Sequence, residues 1–217
     1  VIRSLKVLSL GISVALALGA IGASVAGAVE FHSEIERTKY FASGDGNQVF
    51  VSPAGTTTCT GLTFEATTTT KTNAGLTATS VIYTGSGASG HCIEKTIFGN
   101  IEVAVDFVTD ECDLVFHANG ELDIECKKPG GVTISGPGCS TTLLAQTGLK
   151  TPAYDNKEAG TKRDLTITMV VSGIRGTASG FLCSKEGEFT TGQYSGNITV
   201  RGFEDKVGGA QIGIWAE

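Results

Sequence analysis

Six cysteines, three histidines and a run of carboxylates between positions 102 and 125 are the residues with which this chain could do chemistry. The cysteines are Cys59, Cys92, Cys112, Cys126, Cys139 and Cys183. No pair has the C-x-x-C type of spacing, with histidines following, that a tetrahedral zinc site uses. An even number of cysteines reads instead as a disulfide framework. His91 beside Cys92 invites a thiol-nucleophile reading, but a bridged sulfur has no thiolate to offer.

The second group is an acidic face: Glu102, Asp106, His117, Glu121, Asp123 and Glu125. It is the candidate metal set, and a hard cation such as calcium takes about six to eight oxygens. Carboxylates that alternate along flat strands project in parallel and do not wrap an ion. The face is therefore expected to be solvated, to discourage edge pairing, and to bind no metal. Asp45-Gly46-Asn47 lacks the remainder of a calcium loop. No cofactor is expected.

Catalytic constellations are thinner. A glycosidase sets two carboxylates across a cleft and normally offers aromatic platforms, for which the chain has one Trp and four Tyr. Trp215 is expected to pack in the core of the last strand. No G-x-S-x-G elbow occurs. The threonine runs, such as Thr56-Thr57-Thr58 and Thr67 to Thr70, have no fixed period, so they suit strands better than an ice-binding array. Asn197-Ile198-Thr199 matches a glycosylation sequon.

The elements that must position these residues are strands. Leu62, Phe64 and Ala66 alternate with polar neighbours, as do Leu165, Ile167 and Met169, and then Ile198 and Val200. Glycine, Asn and Asp punctuate the alternation. Roughly nine to eleven short strands are expected, at the spacing of a sandwich or barrel. Residues 147–163 do not alternate and read as a loop.

Residues 101–126 read as a three-strand meander. One face carries Ile101, Val103, Val105, Phe107, Leu114, Phe116, Leu122 and Ile124, and the acids lie on the other. Keeping Phe116 and Leu122 on one face requires an odd-length loop, because a one-residue slip turns a strand over. A three-residue loop centred on Asn119 pairs 116 with 122, 114 with 124 and 112 with 126. Antiparallel partners lie about 4.5–5.5 Å apart at Cα, a range that overlaps disulfide geometry. Cys112 is therefore expected to bridge Cys126. The pairing of Cys59, Cys92, Cys139 and Cys183 stays open.

Residues 1–28 read as an export signal. Arg3 and Lys6 precede an uncharged apolar run from Val7 to Val25, and Ala26-Gly27-Ala28 supplies small residues for cleavage. The alternative is an uncleaved membrane anchor, since the run is long enough to span a bilayer. The net charge of −6 disfavours nucleic acid and anionic lipid as partners.

Cys112-x-x-Val115-Phe116-His117, Cys126, Cys139, Ala145-Gln146-Thr147-Gly148-Leu149, Gly192-x-Tyr194-x-Gly196 and Gly213-Ile214-Trp215 carry a resemblance. Over residues 90–217 the chain resembles a family of uncharacterised, exported, β-rich proteins of actinobacteria. The resemblance implies export, disulfides and all-β structure, and brings no functional residues.

The expected protein is thus a signal helix followed by one all-β domain over residues 29–217, an antiparallel β-sandwich with a distorted β-barrel as the alternative. It is expected to be secreted or held at the cell surface. The leading function is non-enzymatic binding of an extracellular ligand or protein through loops or a sheet face. The alternatives are a secreted hydrolase with a carboxylate pair, and a surface or filament subunit that assembles by strand addition.

Overall fold

In the computed structural model, residues 30–108, 110–150, 152–159 and 162–217 are described, and the expected signal segment lies outside them. β1 (Phe31–Ser33) and β2 (Thr38–Val51) come first, then β3 (Thr56–Cys59), β4 (Gly61–Thr68), β5 (Thr72–Asn73) and β6 (Gly75–Thr84). The middle supplies β7 (Cys92–Thr96), β8 (Gly99–Asp106), β9 (Cys112–His117), β10 (Glu121–Cys126), β11 (Gly131–Gly136) and β12 (Cys139–Leu144). β13 (Gln146–Lys150), β14 (Pro152–Ala159), β15 (Lys162–Ser179), β16 (Gly187–Glu204), β17 (Gln211–Ile212) and β18 (Ile214–Ala216) follow. The fold is all-β, and its large sheet is antiparallel throughout.

Three long strands form a spine. β16 lies between β2 and β15, pairing from Thr38↔Glu204 to Val51↔Gln193 on one side and from Leu165↔Val200 to Ala178↔Gly187 on the other. The two halves of the spine have different neighbours. At one end the ladder runs from β2 through β3, β7, β8, β11 and β12 to β15, and so returns to the spine. At the other, β2 continues through β4, β6, β9 and β10 to β13, while β14 covers the free flank of β15. A small sheet of β18, β1 and β5 brings Phe31 opposite Ala216.

Alternation decides which side chains meet inside. Leu165, Ile167, Met169 and Val171 of β15 are all buried, as are Ile198 and Val200 of β16. Phe64 of β4 and Phe116 of β9 stack at 5.6 Å between ring centres. Burying a side chain of this size contributes about 1.5–3 kcal/mol.

Eighteen strands among the described residues exceed the nine to eleven expected, yet three of them are far longer than expected. The reason is that several glycines do not end strands. A Cβ at Gly196 would collide with Gln48 Oε1, and one at Gly176 would lie 2.5 Å from Phe189 Cζ. These glycines make room for large neighbours inside the sheet.

Two further expectations are corrected. Residues 147–163 are not a loop: β13, β14 and the start of β15 occupy most of this stretch. Tyr154 is the one large apolar anchor of β14, packing edge-on against Phe31 at 5.0 Å, so an edge strand of charged residues hides its alternation. Nor do β8, β9 and β10 form a meander. β6 separates the first two, meeting β9 from Gly75↔His117 to Ala78↔Leu114 and β8 at Ile82↔Asp106. The change of partner follows Ser80, whose φ of 52° is left-handed.

Between β9 and β10 the ladder pairs Phe116 with Leu122, Leu114 with Ile124 and Cys112 with Cys126. The last pair is bridged. Cys59 bridges Cys92, Cys139 bridges Cys183, and no cysteine is free. Such bridges persist in oxidising, extracellular surroundings. No helix among the described residues is long and apolar enough to cross a membrane.

Candidate functional site

The interior holds a cavity of about 50 Å³, lined by Phe50, Phe107, Leu114, Met169 and other apolar side chains. Ligand pockets run from about 300 to 1,000 Å³, so this space takes a water-sized guest and no more. No carboxylate is among its lining residues. Three of its polar members form one chain. Tyr83 donates its hydroxyl hydrogen to Tyr194 at 3.2 Å, and Tyr194 donates to Gln48 Oε1 at 2.6 Å. Gln48 Nε2 then donates to the carbonyl of Asn197 at 3.1 Å. Burial pushes the Tyr83 phenol up to about 12 and that of Tyr194 well above its ordinary value. Both stay neutral and serve the packing of β2 on β16.

The acidic face is not one face. Glu102 and Asp106 lie on β8, while His117, Glu121, Asp123 and Glu125 lie on β9 and β10, with β6 between the two groups. No group of three His, Cys, Asp or Glu among the described residues is placed to hold a metal. Glu102 and Glu125 are exposed, and Asp106, His117 and Glu121 are half-buried. Asp123 departs from the expectation of a solvated acid, because it is buried. One carboxylate oxygen meets His117 Nε2 at 2.8 Å, and the other accepts the Gly148 N–H at 2.7 Å. Among the described residues His117 makes no hydrogen bond to a serine, threonine or cysteine. The pair is a buried carboxylate held by one imidazole and one peptide N–H. Its observed work is to tie β9 and β10 to β13.

Trp215 is not in the core. It is half-buried on β18, stacked on His32 at 5.4 Å between ring centres, with Arg163 over its ring. Cys92 is bridged, which removes the His91 thiol reading.

The feature that sequence reasoning missed lies at the loops beside β7. Glu94 is 2% exposed, and its Oε2 has no hydrogen-bond partner among the described residues. Burial raises its carboxyl above the ordinary value. One turn further along, Thr96 pairs with Gly99 across a two-residue hairpin whose tip is Ile97-Phe98. Thr96 Oγ1 accepts the Phe98 N–H at 3.1 Å, which fixes the turn. The Ile97 N–H donates to Ser184 Oγ at 2.9 Å, and the Ser184 N–H donates to the carbonyl of Ala54 at 2.7 Å. The Leu182 N–H donates to the carbonyl of Gly138 at 2.9 Å, next to the Cys139–Cys183 bridge.

Four turns are therefore tied together, and they present large apolar side chains to solvent. Ile97 is 74% exposed, Phe98 61% and Phe181 78%. Single exposed apolar residues are ordinary, whereas several on neighbouring turns are less so. A signal in the sequence could have found it. Two-residue hairpins favour Asn-Gly or Asp-Gly at their tips, and this one carries Ile-Phe.

Comparison of the chain with models of protein families, with curated proteins and with solved structures finds no match.

Proposed function

We propose that the protein is a non-enzymatic, secreted or cell-surface β protein that holds a protein partner through its loops. The observation that carries this reading is the exposure of Ile97, Phe98 and Phe181 on turns that are cross-tied and not loose. A rigid apolar tip loses little conformational freedom on docking, and aromatic side chains dominate the centres of protein interfaces. The three disulfides, the leader-like residues 1–28 and the resemblance to exported actinobacterial proteins support a place outside the cytoplasm. The acidic balance argues against nucleic acid as the partner. Strand addition by residues 48–51 loses its support, because Val49, Phe50 and Val51 are paired with both β3 and β16.

The test is a photo-crosslinking amino acid placed at Phe98 in cells that make the protein, with a second placed at the fully exposed Val207 as control. A discrete crosslinked species from position 98 that disappears with Phe181→Ser is expected. The same species from both positions, or none from position 98, would overturn the reading.

A further inference from the structure

Beneath the apolar tip lies an acid without a partner. Glu94 is 2% exposed, and its Oε2 is buried with no hydrogen bond among the described residues. Gly55 sits directly on the carboxyl group: a Cβ there would lie 2.8 Å from Glu94 Oε1 and 3.0 Å from its Cγ. Gly55 closes a turn that is braced as one piece. The Ser52 N–H donates to the Gly55 carbonyl at 2.9 Å, and the Gly55 N–H donates back to the Ser52 carbonyl at 3.2 Å. The Ala54 N–H donates to Ser52 Oγ at 3.1 Å.

The same turn holds the tip. Its Ala54 carbonyl receives the Ser184 N–H, and Ser184 Oγ receives the Ile97 N–H. A continuous path therefore runs from the Glu94 carboxyl through Gly55, Ala54 and Ser184 to Ile97. The segments on either side of the turn are pinned, by Cys59–Cys92 two residues before Glu94 and by Cys139–Cys183 beside Ser184. Turn 52–55 itself carries no bridge.

No charge inside the sheet compensates Glu94. Its ladder partners are Thr57 of β3 and Ile101 of β8. Turn 52–55 has no charged residue. Lys95 on β7 and Glu102 on β8 are exposed, as are Lys185 and Glu186 on the loop after Ser184. Cys59, Cys92 and Cys183 are bridged and do not titrate. Burial alone raises the Glu94 carboxyl above its ordinary value. An unpaired buried charge is far costlier than a neutral acid, so the ionised carboxylate needs water, and Gly55 is the cover that water must displace.

We propose that Glu94 is a proton-operated latch for the tip: with its carboxyl neutral, turn 52–55 stays seated and holds Ser184 and Ile97, and on ionisation the turn lifts to admit water and lets both go. The latch rests on the reading of the tip as a docking site and supplies its regulation. A partner that docks on the fixed arrangement of Ile97, Phe98 and Phe181 is held in mild acid and released toward neutrality. Latching is complete below about pH 4.5 and fades as pH rises through the native value, the direction for an acid raised on folding.

The test is amide hydrogen exchange of the protein by NMR, corrected for intrinsic rates, from about pH 4.5 to about pH 8. Protection of the Ile97 and Ser184 N–H groups should fall by roughly tenfold or more as pH rises, while Glu94→Gln keeps it at the acid level throughout. At the upper end both should exchange ahead of the buried Ile198 N–H in the spine, because only the turn has opened. In the parent alone, the Glu94 carboxyl carbon should titrate with the midpoint of the protection loss. Protection that does not change with pH would overturn the latch, as would the same fall in Glu94→Gln. Exchange in step with Ile198 marks unfolding of the whole domain and would overturn it too. Unequal midpoints for carbon and amides would do so whether or not the variant folds. No partner takes part, so the latch and the crosslinking at Phe98 stand or fail separately.

Discussion

The hydroxyl of Tyr194 donates to Gln48 Oε1 at 2.6 Å, joining β16 to β2 across 146 residues of sequence. Gln48 is fully buried, and the absent side chain of Gly196 leaves it the space it occupies. Tyr194→Phe keeps the ring and removes the donor, which leaves Gln48 Oε1 and the Tyr83 hydroxyl short of a partner. The expected cost is about 1–3 kcal/mol. Urea unfolding should show a lower midpoint with an unchanged slope. Gly196→Ala, which drives a methyl group into the amide, should cost at least as much.

All four tyrosines, Tyr40, Tyr83, Tyr154 and Tyr194, have phenols raised by burial, Tyr83 to about 12. The folded state therefore holds these protons more tightly than the unfolded chain, whose phenols ionise near 10. Their contribution to stability is complete below about pH 10 and is lost as pH rises through the raised values. Phenolate absorbance should accordingly stay flat through pH 10 and appear together with loss of the fold. A quarter of the signal titrating at the ordinary value in the folded protein would contradict the burial of one ring.

Glu94 gives the opposite end of the pH scale. Its carboxyl is raised above the ordinary 4.5 by burial. Protonated Glu94 is thus the form the fold prefers, so its contribution is present below about pH 4.5 and declines as pH rises through the native value. Glu94→Gln removes that decline. Melts at a series of pH values should show the variant gaining on the parent from mild acid to neutrality.

Cys112 and Cys126 face each other across the β9–β10 ladder, 14 residues apart in sequence. Replacing both with Ala should cost about 3 kcal/mol by the chain-entropy estimate. The measurement is a thermal melt of the double variant.

That same pair shows what was legible in the sequence. Phe116 and Leu122 had to share a face, the loop at Asn119 had to be odd, and the register followed. No such argument reaches Cys59 and Cys92, because β3 and β7 meet only after β4 and β6 have been placed elsewhere in the sheet. The acids of residues 102–125 were misjudged as one face for a related reason: β6, distant in sequence, enters between β8 and β9. Asp123 alternates like a solvent-facing acid, yet the bulge of β13 covers it. The tip at Ile97-Phe98 was hidden because two adjacent apolar residues between Thr96 and Gly99 carry no alternation to read.

The spine also sets an order of assembly. Residues 38–51 leave the ribosome long before residues 187–204, and at about 5–20 residues per second the delay is on the order of ten seconds. Each bridge, by contrast, joins a cysteine to the next one along the chain, so oxidation in order of emergence produces the native connectivity. Locally closed pieces are therefore complete while β2 still awaits its long partner β16. A nascent or shortened chain that ends before residue 187 leaves one edge of β2 as a bare row of N–H and C=O groups, a template for aggregation.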